Sequence, residues 1–60
     1  MKELGNRLRT VRESKGISYY RIQKDTGLRI PVIHNIEDGR GRAVNVIKLC
    51  DYLGVTPTIL

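Results

Sequence analysis

Phenylalanine and tryptophan are absent from this 60-residue chain, and cysteine and histidine occur once each. A hydrophobic core must therefore be built from Leu, Ile and Val with help from three tyrosines. A single cysteine excludes an internal disulfide, and Cys50 with His34 falls short of a Cys/His metal cage. No metal and no cofactor is expected. Apolar runs fall far below the roughly 18 residues of a membrane span, and the N-terminus lacks the apolar stretch of a signal peptide. The unpaired thiol suits a reducing compartment, so a cytoplasmic chain without membrane contact is expected. At this length a domain buries only about 60% of the surface its unfolded chain exposes, which points to one small domain of modest stability. Catalytic parts are also missing. There is no Ser/His/Asp order and no Gly-rich loop after a strand, so neither an enzyme nor a small-molecule ligand is expected.

Acidic residues are scarce too: 6 Asp and Glu against 11 Lys and Arg give a net charge of +5. The excess is concentrated in residues 1–30, where Lys2, Arg7, Arg9, Arg12, Lys15, Arg21, Lys24 and Arg29 face only Glu3, Glu13 and Asp25. The second half balances to zero. Such asymmetry suggests a polyanionic partner, although a basic surface also serves plain solubility.

Glycine is the punctuation of the chain. Gly16, Gly27, Gly39, Gly41 and Gly54 mark off segments about one short helix long. Leu4, Leu8 and Val11 form an apolar stripe at helical spacing. Ser18 is a good N-cap for a second helix, and Pro31 suits the first turn of a third that carries Ile30, Ile33 and Ile36. Val46, Leu49, Cys50 and Leu53 form the stripe of a fourth helix. The spacing predicts an all-α fold with helices over about 2–15, 18–26, 30–38 and 44–53. A short turn over 56–60 would follow, with Thr56 as cap. Two short helices meeting at Gly27 are the composition cue for a helix-turn-helix.

The residues from Leu4 to Leu60, taken in order, resemble the Cro/C1-type (XRE-family, phage repressor-like) helix-turn-helix domain. The pieces that carry the likeness are Leu8-Arg9, Arg12 and Lys15-Gly16-Ile17-Ser18, then Gly27, Ile33 and Ile36-Glu37-Asp38-Gly39-Arg40, and finally Leu49 and Leu53-Gly54-Val55. The likeness implies a compact lambda-repressor-like domain of four to five helices whose third helix enters the DNA major groove. It also implies a pair between Arg12 and Glu37, and DNA-facing positions at Tyr19, Arg29, Ile30, Pro31, His34, Asn35, Arg40 and Arg42. Four positions depart from the family's habit. Tyr19 stands where Gln is usual and Gln23 where a small residue is usual. Arg29 replaces the Ser or Thr that caps the third helix, and Arg21 replaces its acidic partner in helix two.

Chemistry assigns expected roles to these residues. The Tyr19 hydroxyl would bond a phosphate at a helix N-terminus, with Tyr20 partly buried or at the rim, although one of the two rings could equally fill the core. Arg12, Arg29, Arg40 and Arg42 would hold phosphates, Arg29 having guanine as an alternative. Pro31 could meet a thymine methyl group, as could Ile30, which equally shares the stripe of Ile33 and Ile36. His34 and Asn35 would lie on the outer face of the third helix, Asn35 suiting adenine or the backbone and His34 able to donate to a phosphate. Cys50 is expected to be an inert buried thiol. The function expected is a sequence-specific regulator of transcription, a repressor, bound to double-stranded DNA as a weak homodimer joined through Val55, Ile59 and Leu60. The alternative is an antitoxin-like or adaptor module that uses the same fold to bind a protein.

Overall fold

The computed structural model describes residues 2–56, which form four helices: α1 (Lys2–Ser14), α2 (Tyr19–Thr26), α3 (Ile30–Glu37) and α4 (Ala43–Leu53). The fold is all-α. Helix ends lie within a residue of the sequence expectation, and α3 stops at Glu37 because Asp38 and Gly39 turn the chain away. The expected turn over 56–60 extends beyond the described residues.

Amphipathic spacing explains the packing. Leu8 of α1, Ile22 of α2, Ile33 and Ile36 of α3, and Val46, Leu49, Cys50 and Leu53 of α4 are all buried together. Leu4, Val11, Ile17, Tyr19, Val32, Tyr52 and Val55 pack around them. Leu28, between α2 and α3, joins the core as well. It has no helical partner in sequence, so periodicity does not find it. Its N–H donates to Thr26 Oγ1 at 3.1 Å, and the same hydroxyl donates to Ile22 O at 2.7 Å. One threonine therefore closes the end of α2 and steers the chain into α3. Tyr20, expected to be partly buried or at the rim of the core, is not partly buried: it lies 68% exposed on α2.

Two glycines have steric work to do. Gly39 adopts φ 91°, and its N–H donates to Ile36 O at 3.0 Å while Arg40 N–H donates to Asn35 O at 2.7 Å. These two bonds close α3 in the double arrangement that a left-handed residue permits. Gly5 is helical and buried, and a Cβ there would stand 2.5 Å from Ile36 O and 2.6 Å from Glu37 O. Hydrogen in place of a side chain lets α1 cross directly over the last turn of α3.

Gly5→Ala tests that crossing. Helix propensity favours Ala by up to about 1 kcal/mol, whereas forcing atoms into a packed contact typically costs about 1–3 kcal/mol. The obstacle here is backbone, which cannot rotate aside, so the steric term wins. A lower melting temperature than wild type is expected in thermal unfolding; an unchanged or higher one would mean that the helices separate freely.

Candidate nucleic-acid interface

Three helices converge on Glu37, which is 6% exposed near the end of α3. Arg12 Nε of α1 donates to Glu37 Oε2 at 2.9 Å, and the Tyr19 hydroxyl of α2 donates to Glu37 Oε1 at 2.6 Å. The remaining nitrogens of Arg12 reach Ile17 O at 3.1 Å and the Tyr19 hydroxyl oxygen at 3.1 Å. The Arg12 guanidinium also sits 4.1 Å from the centroid of the Tyr19 ring. Among the described residues no buried side-chain polar atom lacks a partner. Burial works against the charge of Arg12, but the hydrogen bond and the field of Glu37 outweigh it and hold its pKa above the ordinary value. The Tyr19 phenol is pushed up by burial first and by its bond to Glu37 second.

This cluster bears on two assignments. Arg12, expected at a phosphate, has a side chain only 12% exposed whose nitrogens bond Glu37, Ile17 O and the Tyr19 hydroxyl within the fold. The Tyr19 hydroxyl is not free for a phosphate either, since it is engaged by Glu37 and Arg12. Sequence separation hid the second fact: Tyr19 and Glu37 lie on different helices, and nothing local marks their meeting.

The departures from the family pattern find local explanations. Arg29 is the N-cap of α3 but makes no side-chain cap bond. Gln23 supplies the missing acceptor from α2, its Oε1 accepting Ile30 N–H at 3.2 Å. A long amide in place of a small residue thus caps the next helix from across the turn. Arg21 donates to Asp25 Oδ2 at 2.9 Å, and the Tyr52 hydroxyl of α4 donates to the same oxygen at 2.6 Å. The bonds from Tyr52 first, and Arg21 next, hold the Asp25 carboxyl below its usual range. Asp25 therefore links the outer side of α2 to α4.

The other sequence-predicted residues lie at the surface around α3. Pro31, His34 and Asn35 are exposed on its outer side, and Ile30 is half-buried beside the core. Arg29 is exposed at its start, with Arg40, Gly41 and Arg42 just past its end. Arg40 lies 3.5 Å from Asp38 in an open pair, of a kind worth little in water. Among the described residues Arg29 and Arg42 enter no ion pair, and the first turns of α3 and α4 hold no acidic residue. His34 stacks obliquely on Tyr19, with ring centroids 4.3 Å apart. The described residues include no group of three His, Cys, Asp or Glu side chains that could hold an ion. No described helix is long and apolar enough to cross a membrane.

The buried cluster yields a direct measurement. Replacing Glu37 by Ala leaves the Arg12 guanidinium buried without its counter-charge, a change that typically costs about 3–5 kcal/mol. For so small a domain that is a large part of the total stability. Urea unfolding is expected to show the loss, and a change below about 1 kcal/mol would show that water reaches and solvates Arg12.

A family model described as a helix-turn-helix domain matches residues 3–59. Searches of curated proteins and of solved structures return no match. With α2 and α3 joined through Gly27 and the match spanning nearly the whole chain, this protein belongs to the helix-turn-helix domain family, of the Cro/C1 type.

Proposed function

We propose that the chain is a sequence-specific DNA-binding regulator, a repressor, that docks α3 in the major groove of double-stranded DNA. Membership in a helix-turn-helix family supports a DNA-binding regulator in general terms, and such domains are typically not enzymes. The observation that carries the finer reading is the arrangement around α3. An exposed side formed by Pro31, His34 and Asn35 is bracketed along the chain by Arg29 and Arg42, two exposed arginines without ion pairs among the described residues. Cations at those places neutralise phosphates on the strands that border the groove, while the helix between them meets base edges. Arg40 belongs to the same loop and contributes once its weak pair with Asp38 opens.

Repression follows from occupancy. Two copies would place their third helices in successive major grooves about 34 Å apart and block access to the site between them. The homodimer belongs to this proposal, with Val55, Ile59 and Leu60 as its contact. Val55 packs partly against the core, and the other two lie outside the described residues. The adaptor reading draws its support from α4, where Val44 is 69% and Ile47 41% exposed at neighbouring helical positions. A single turn of apolar surface is smaller than a stable protein interface requires, so DNA remains the favoured partner.

Selection of bound sites from a random DNA pool is the decisive experiment, and enrichment of a half-site motif is the expected outcome. Failure to bind DNA at low salt would move the assignment to the adaptor. On the selected site, log K should fall with log salt at a slope of about −0.9 per neutralised phosphate. Arg42→Ala should flatten that slope by about one unit and weaken all sequences alike. Asn35→Ala should behave differently. It should cost about 1–3 kcal/mol on the preferred site and relax discrimination at one position, leaving random DNA almost unaffected. Equal loss on all sequences would reassign Asn35 to the backbone.

A further inference from the structure

The exposed side of α3 offers few groups able to read a base. Pro31 has no side-chain hydrogen bond to give, and α3 carries neither lysine nor arginine. Asp38, at the end of the helix, is an acid that phosphates repel. His34 and Asn35 remain, and only His34 is held by a neighbour. Its ring centroid is 4.3 Å from that of Tyr19 with the planes tilted by 37°, a close contact between the two rings. Tyr19 is itself anchored at two points, because its hydroxyl bonds Glu37 at 2.6 Å and its ring carries the Arg12 guanidinium 4.1 Å from the centroid. The imidazole therefore leans on a platform fixed by the buried cluster of three helices.

We infer that Tyr19 is a positioning residue for sequence reading. It touches no DNA itself but holds His34 in a rotamer from which the imidazole N–H meets an acceptor on a purine edge, N7 or O6, in the major groove. This rests on the reading of α3 as the groove helix. Directional recognition of a base edge gains from a side chain that is ordered before binding, since less freedom is lost on contact. A phosphate, with acceptor oxygens on several sides, rewards such fixing far less.

The test has one arm without DNA and one with it. In the free protein, NMR should show His34 ring protons displaced upfield by the Tyr19 ring. The displacement should persist in Tyr19→Phe and vanish in Tyr19→Leu. On the selected site, a panel of single base-pair changes should show His34→Ala losing discrimination of about tenfold at one position of each half-site. Tyr19→Leu should lose it at the same position, and Tyr19→Phe should retain most of it because the ring remains. Melting curves establish that each variant is folded at the assay temperature, and Tyr19→Met takes the place of Tyr19→Leu if the latter is not. The inference is overturned if the Leu or Met variant keeps full discrimination, if it weakens all sequences equally, or if the His34 displacement survives without the ring. A wild-type chain without any sequence preference would bring down the proposed function and the base contact together, and is told apart by appearing before any variant is made.

Discussion

The salt bridge between Arg12 and Glu37 is the constraint on which the rest of the structure depends. Two charges removed from water are costly, and their mutual attraction often does no more than offset that cost. The pair is therefore better understood through geometry than through net stability. Arg12 and Glu37 must meet at 2.9 Å, so α1 cannot slide along α3. The same carboxylate receives the Tyr19 hydroxyl, so α2 is referenced to the same point. Gly5 sets the depth of the contact from the other side, by letting α1 approach the carbonyls of Ile36 and Glu37. One acidic residue near the C-terminal end of α3 thus ties that helix to both preceding helices and makes its orientation reproducible.

At its other end α3 is held by quite different means. Gln23 reaches across the turn to accept the N–H of Ile30, Leu28 plugs the core, and the Thr26 hydroxyl ties Leu28 N–H to Ile22 O of α2. None of these is a charged contact. Both ends of an eight-residue helix are thus anchored by side chains from outside it, which suits a segment too short to be stable alone.

Most of the scaffold was legible in the sequence because helical periodicity is local. The stripes of Ile33 with Ile36, and of Val46, Leu49, Cys50 and Leu53, point inward as their spacing requires, and glycines stand where the chain turns. The Arg12–Glu37 pair came from family resemblance, and its partners then meet as that resemblance implies. What escaped was long-range or non-periodic. Leu28 has no repeat to announce its burial. Gln23 looks like an intrusion until its amide is seen capping a different helix. Tyr19 was assigned outward because it stands at a helix start, and only the three-dimensional meeting with Glu37 turns it inward. Gly5 lies within a helical stripe and nothing local explains it, since its role is proximity to α3.

Cys50 gives the domain a property unrelated to recognition. The thiol is fully buried in α4, and desolvation, with a smaller effect of Asp51, pushes its pKa up. Alkylating reagents attack the thiolate of an accessible sulfur, so the folded chain offers them nothing until α4 lifts away from the core. When reclosing outpaces the chemical step, the labelling rate measures the population of that opened state. A single native sulfur thus reports the population of the opened state, without an engineered label site, on any variant that keeps the core intact.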